Sequence, residues 1–272
     1  MTQVEIAPGN SPVILGLPHT GTHVPPDIWD RLNDEGRKLR DTDWHIHTLY
    51  DGLLPGATTV RATFHRYVID ANRDPAGATL YPGQTTTGLI PFTDFDDQPI
   101  WRSGSEPDAD ETARRVQGFH RPYHAALEAE IERVRALHGV AILYDCHSIR
   151  PEIPWLFEGV LPDFNIGTDN GRTCDPAIEQ AVVGICQSAE GYRSVLNGRF
   201  RGGWTTRHYG RPAEGVHAIQ MELTQSTHLS EDPSPFTYDE PKAERLRAHL
   251  ARILKVLADI APTLARSSGD RP

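Results

Sequence analysis

The sequence predicts an α/β fold built on a mixed, mostly parallel sheet flanked by helices. Three observations carry that reading. Short apolar runs of strand length, at residues 13–17, 140–145 and 216–223, alternate with longer runs of helical period. The run at 140–145 is apolar almost throughout, as in a strand buried on both faces. Each of the three runs ends at or beside residues capable of chemistry, and ligands of such sheets sit outside the carboxyl ends of the strands.

Taken in order, Val13-Ile14-Leu15-Gly16-Leu17 follows Pro12, is β-branched at its start and stops at Pro18-His19-Thr20-Gly21. It reads as a buried strand entering a loop. Residues 27–40 read as helix, with Ile28, Leu32 and Leu39 set among charges, and residues 58–63 and 67–69 as strand. The segment 74–106, rich in Pro, Gly, Thr and Asp, is a loop long enough to be functional or mobile. Residues 107–138 carry the clearest helical pattern: Val116, Phe119, Tyr123, Leu127, Ile131 and Val134 fall on one face. Pro122 inside that run predicts a kink or a break into two helices. Residues 164–167 form a short strand, and 176–189 a helix with Asp175 as N-cap and Pro176 at its first position. The strand at 216–223 carries Glu222 near its end, and residues 241–260 close the chain as an amphipathic helix. No internal repeat or linker stands out, so residues 1–272 are expected to form a single domain around one core.

The formal charge of −10 argues against nucleic acid, which needs a basic face. A few arginines can still make one cleft positive for a small anionic substrate. No apolar stretch reaches membrane-spanning length, and residues 1–12 lack the basic and apolar regions of a secretory signal. A cytoplasmic location is therefore expected. The three cysteines are odd in number and lack zinc-knuckle spacing, so they read as free thiols.

A hydrolytic metal site needs three protein ligands and an open position for water. Two imidazoles and a carboxylate suit zinc. His19 follows the first strand and His147 the run at 140–145, and they are the candidate imidazoles. The carboxylate comes from Asp41 or Asp43. Asp43, beside Trp44, is favoured because a carboxylate in a partly apolar setting seeks a cation. His45 and His47 stay open as alternatives, and on a strand alternation would put both on one side, with Asp43 there too. His23 lies four residues after His19, but Gly21 and the Pro25-Pro26 pair indicate a loop, so it is expected near the substrate rather than as a ligand. Ser148 points away from its neighbour His147 in an extended chain, which argues against a Ser–His couple.

Glu222, between Met221 and Leu223, is the expected general base. Asn72-Arg73-Asp74-Pro75 offers a planar fork and a directional donor to a carboxylate, although the same residues favour a turn. A glycine-rich basic stretch runs from Asn197 to Gly210 and holds Arg201 and Arg207, with Arg211 just beyond. It is expected to be a mobile loop that closes on an anion. It lacks the lysine and the strand-to-helix setting of a phosphate loop.

These residues fall in segments that resemble the N-formylglutamate amidohydrolases, also called N-formylglutamate deformylases. The segments are Pro18-His19-Thr20-Gly21, Asp41-Thr42-Asp43-Trp44, Asp70-Ala71-Asn72-Arg73-Asp74-Pro75, Asp145-Cys146-His147-Ser148, the stretch from Leu161 to Thr168, the Gly202-Gly203 loop and Gln220-Met221-Glu222-Leu223. They run in the family's order from about residue 13 to residue 229. The resemblance implies a fold similar to the zinc-dependent exopeptidases. It also implies hydrolysis of N-formyl-L-glutamate to formate and L-glutamate, the last step of one histidine-degradation route. His19 and His147 match metal-ligand positions, Glu222 the catalytic glutamate, and Asn72 with Arg73 a carboxylate clamp. Many exopeptidases place an acidic ligand three residues after the first His; here that position is Thr22, so Asp43 is assigned as the third ligand.

The expectation is therefore one divalent metal ion, zinc by its donors, on His19, Asp43 and His147. Arg73 and one of Arg201, Arg207 or Arg211 would hold the two substrate carboxylates. The rival readings are another N-acyl-amino-acid hydrolase or carboxypeptidase-like enzyme on this scaffold, and a non-catalytic small-molecule binding protein.

Overall fold

The computed structural model describes residues 2–79, 83–230 and 236–269. Among these residues, seven strands join in one sheet: β1 (Val4–Ala7), β2 (Val13–Leu17), β3 (Thr58–Ala62), β4 (Ala141–Ile149), β5 (Phe164–Gly167), β6 (Ser194–Leu196) and β7 (Val216–Thr224). Their spatial order is β1-β3-β2-β4-β7-β5-β6. β2 runs parallel to β3 and β4, β4 parallel to β7, and β5 parallel to β6. β1 on β3 and β5 on β7 are antiparallel. The sheet is thus mixed and mostly parallel, as the alternation of runs predicts. β4 and β7 lie at its centre and are buried along their whole length.

The helices are α1 (Pro26–Trp29), α2 (Ile46–Tyr50), α3 (Ala109–Arg115), α4 (Arg121–His138), α5 (Pro176–Gln187), α6 (Trp204–Tyr209) and α7 (Glu240–Gly269). Helices cover both faces of the sheet. On one face, α5 and α7 pack against Leu15, Tyr144, Cys146, Met221 and Leu223, with Leu246, Leu250, Ile253 and Leu257 supplying the stripe of α7. On the other, Tyr123, Leu127, Ile131 and Val134 of α4 cover Ile14, Val60, Leu143 and Ala218. Among the described residues, no helix is long and apolar enough to cross a membrane. Cys146, Cys174 and Cys186 are free and buried.

The break expected at Pro122 falls just before it. A π-helical turn at Val116–His120 separates α3 from α4, and Pro122 sits in the first turn of α4, where its missing N–H has no intrahelical partner to lose. Asp175 caps α5 through its side chain, which accepts from Ala177 N at 2.9 Å.

Four local expectations change. The helix expected over 27–40 is only α1 and a 3₁₀ turn at Gly36–Lys38, because Leu32 pairs with Trp101 and Asn33 N donates to the Ile100 carbonyl at 3.1 Å, which takes the backbone out of helical bonding. Residues 67–69 are buried but join no strand; Arg115 instead donates to the Val68 carbonyl at 2.9 Å. His47 lies on α2 and His45 just before it, not on a strand. The stretch from Asn197 is not loop throughout, since Trp204–Tyr209 form α6.

Candidate active site

Side chains on a strand alternate between faces. On the face covered by α4, β4 presents Ala141, Leu143, Asp145 and His147, and β7 presents Val216, Ala218, Gln220 and Glu222. Both strands change from apolar to polar at the same level, because Asp145 pairs with Gln220 and His147 with Glu222. Four polar side chains are thereby placed side by side at the carboxyl end of the sheet.

His19 leaves β2 at that same edge. Its carbonyl accepts from Asp43 N at 3.0 Å, which pins the segment carrying Asp43 beside it. Donor atoms of His19, Asp43 and His147 then converge within 4.8 Å of one another, all three side chains being buried. Asp43 Oδ2 lies 3.7 Å from His19 Nδ1 and 3.1 Å from His147 Nδ1. Two donors on one tetrahedral zinc ion, each about 2.05 Å from it, would be about 3.3 Å apart. The observed spacings bracket that value, so the donor set fits such an ion.

The remaining ring nitrogens support the fit. His19 Nε2 lies 2.7 Å from Asp70 Oδ1, and His147 Nε2 lies 3.2 Å from Asp145 Oδ1. Both carboxylates are fully buried. A metal-binding imidazole commonly donates its other N–H to a carboxylate in this way. Arg66 Nη2 lies 3.0 Å from His19 Nδ1 and donates to Asp70 Oδ2 at 3.0 Å. Asp70, held ionised, only accepts, so His19 Nε2 carries a proton.

The site's electrostatics follow from these contacts. Burial would raise Asp43, but hydrogen bonds from His147 and His19 outweigh it and hold the carboxyl below its usual range. Asp70 is likewise held down, against burial, by Arg73, His19 and Arg66. Burial would lower His147; Asp145 and Asp43 reverse that and raise it. Glu222 is different: burial pushes it up to about 8, with the His147 charge opposing. Gln220 Nε2 donates to Glu222 Oε2 at 3.1 Å.

A cavity opens above this cluster, lined by His19, Asp43, His147 and Glu222 together with Arg66, Asn72, Arg73, Arg199 and residues 85–87. Arg73 donates to the carbonyl and hydroxyl of Thr87, both at 2.9 Å, and Arg199 to the carbonyl of Thr85 at 2.7 Å. The long loop at 74–106 thus supplies a wall of the site.

Several expected residues lie elsewhere. Arg201, Arg207 and Arg211 are not among the lining residues. Arg207 pairs with Asp169 at 3.4 Å, Arg211 with Glu214 at 2.9 Å, and Arg201 donates to the Gly198 carbonyl at 3.4 Å. These partners belong to neighbouring loops and do not line the cavity. His23 extends the sheet through a bridge to Phe64 and does not line the cavity. Asp41 accepts from Tyr67 OH and Phe95 N, at 2.9 and 3.0 Å, and so anchors the wall instead of joining the converging donors. His45 and His47 also stand outside the converging donors.

Sequence reasoning missed Arg66 and Arg199 and gave Asp70 no role. A signal for Arg66 exists: a charge beside the apolar run Tyr67-Val68-Ile69 with Asp70 four residues on is a buried ion pair waiting for a fold. Arg199 carries no comparable mark within its basic stretch.

Fold and site together define an α/β enzyme whose reactive groups sit at the carboxyl edge of a mixed sheet, with two imidazoles, a shared carboxylate and a separate buried acid. A family model described as N-formylglutamate amidohydrolase matches residues 11–229. The N-formylglutamate deformylases of Pseudomonas putida and Pseudomonas aeruginosa are each 46% identical over 250 residues, covering 92% of this chain and 93% of theirs. The crystal structure of an N-formylglutamate amidohydrolase from Ralstonia eutropha JMP134 superposes with a TM-score of 0.78 at 27% identity, covering 96% of this chain and 98% of that one. The chain belongs to the N-formylglutamate amidohydrolase family.

Proposed function

We propose that the chain hydrolyses N-formyl-L-glutamate to formate and L-glutamate with one divalent cation, zinc by its donor set, held by His19, Asp43 and His147. The observation that carries this reading is the convergence of those three donors within 4.8 Å beside the buried Glu222. A cation bound there would supply Lewis acidity, making a water acidic and the formyl carbon electrophilic.

The chain's own residues account for the rest. Glu222, buried beside the converging donors and lining the cavity, is placed to take a proton from the attacking water. It returns that proton to the glutamate nitrogen as the C–N bond breaks and the new C–O bond completes formate. Arg66, buried beside His19, is the cation that faces negative charge building on the formyl oxygen. Asn72 and Arg73 hold the α-carboxylate. Arg199, gripping the same wall at Thr85, holds the side-chain carboxylate in place of the arginines expected from sequence. A cleft with three arginines in a chain of net charge −10 suits a dianion. With this activity go one catalytic domain, a cytoplasmic setting and the closing step of histidine degradation.

The test is formate release from N-formylglutamate, compared with N-acetylglutamate and glutamyl peptides, with bound metal assayed alongside. Glu222→Gln is expected to lose about 10²- to 10⁴-fold in kcat with metal content unchanged. Undiminished turnover in that variant, or no formate release from the zinc-loaded protein, would overturn the reading.

A further inference from the structure

We infer that Gln220 is a positioning residue that aims the Glu222 carboxylate, its own amide being oriented by the backbone N–H of Gly203 at the start of α6. The inference rests on the reading of Glu222 as the general base.

The argument starts from the strand. Gln220 and Glu222 are two residues apart on β7 and share its polar face, so their side chains are neighbours. Gln220 is buried, and both ends of its amide are engaged. Oε1 accepts from Gly203 N at 2.6 Å, and Nε2 donates to Glu222 Oε2 at 3.1 Å. A backbone N–H only donates, so the end of the amide facing Gly203 must be the oxygen. The nitrogen is then turned to Glu222. The flipped amide would set donor against donor at Gly203 and acceptor against carboxylate at Glu222, and is disfavoured at both ends.

Gly203 is itself fixed. Its Cα lies against the Asn72 amide so closely that a Cβ would overlap it. Asn72 Oδ1 in turn accepts from Thr205 N at 2.8 Å, and Thr206 Oγ1 donates to Asp145 Oδ2 at 3.1 Å. The first turn of α6 therefore touches the base through Gln220, the proposed carboxylate clamp through Asn72, and the carboxylate behind His147 through Asp145. A general base must meet its proton within hydrogen-bond reach, and an error near 1 Å in placement costs about a hundredfold in rate. Gln220 supplies that restraint from a segment that the chain places 17 residues earlier.

The experiment uses the full-length, zinc-loaded protein and two variants of near-equal volume. Gln220→Met removes both hydrogen bonds. Gln220→Glu keeps an acceptor for Gly203 but loses the donor to Glu222. Both are expected to lower kcat about 10- to 100-fold while KM for N-formylglutamate stays within about threefold and bound zinc is retained. Wild-type kcat in Gln220→Met overturns the inference. So does a fall in Gln220→Met that Gln220→Glu restores at a pH high enough to ionise both carboxyls, since only the contact to Gly203 would then remain. A rise in KM at constant kcat overturns it too, by assigning Gln220 to substrate binding. If Gln220→Met does not fold by circular dichroism, Gln220→Glu carries the test. Glu222→Gln, run in parallel, separates the two readings: undiminished activity there removes the base itself, whatever Gln220 does.

Discussion

At the scale of single residues, the site depends on what stands behind its proposed ligands. Asp70 takes the Nε2 proton of His19 and also pairs with Arg66 at 3.0 Å. Asp70→Asn keeps the shape but removes the charge, and is expected to weaken zinc binding about 10- to 100-fold. Competition with a chromogenic chelator measures this, and unchanged affinity would show that Asp70 only packs. His228 illustrates a buried group outside the chemistry. Burial holds its imidazole down to about 4, while the backbone carbonyl of Trp44 opposes. The unfolded chain titrates near 6.5, so between about 6.5 and 4 it binds a proton that the folded chain does not. Stability from this residue is complete above that window and is lost as pH falls through it, by about 3 kcal/mol in all. Asp41 has the opposite sign, because burial raises it to about 7 and its contribution is lost as pH rises. The net slope of the protein is therefore not diagnostic, but a difference is. His228→Gln should lose less stability than the parent between pH 7 and pH 5 in urea titrations, and parallel slopes would dismiss the assignment.

At the scale of elements, the packing of α7 sets a clear expectation. Leu254 is fully buried under the sheet, so Leu254→Ala should cost about 2–5 kcal/mol in urea denaturation. A loss below about 1 kcal/mol would mean that the helix is not held by this stripe. The same element shows what the sequence makes legible. A helix or strand that lies against the core repeats its apolar residues at its own period, and α4, α7, β2, β4 and β7 are readable for that reason. β1 and β6 are not, since an edge strand of three or four residues with mostly partly exposed side chains leaves no period to detect. Residues 67–69 mislead in the opposite way: they are as apolar as a strand, yet their backbone is satisfied by local turns and by Arg115. In the site, His19, His147 and Glu222 could be found because they end or interrupt strong runs. Asp43 needed the resemblance as well. Arg199 was invisible because contacts between loops carry no periodicity.

At the scale of the molecule, the three proposed ligands are drawn from residues 19, 43 and 147, on segments that meet only when the sheet is complete. An unfolded chain offers no such convergence, so zinc should bind the native state alone. Its removal by a chelator is then expected to lower the melting temperature, by about 2.7 kcal/mol in stability terms when free zinc stood at a hundred times its Kd. His147→Ala should melt at the same temperature with and without chelator, and a chelator effect that persists in it would place the stabilising ion elsewhere.

The change of character along β4 and β7 has one more consequence. Leu143 belongs to the packing and Asp145, two residues further, to the chemistry, on one unbroken ribbon of backbone. Nothing insulates the workshop from its foundations. A slight loosening of the core near Leu143 or Ala218 travels straight into the aim of His147 and Glu222, long before the sheet comes apart. On gentle warming, turnover should fade while the circular-dichroism signal still stands, so that the reaction itself serves as the most sensitive gauge of how tightly this protein is packed.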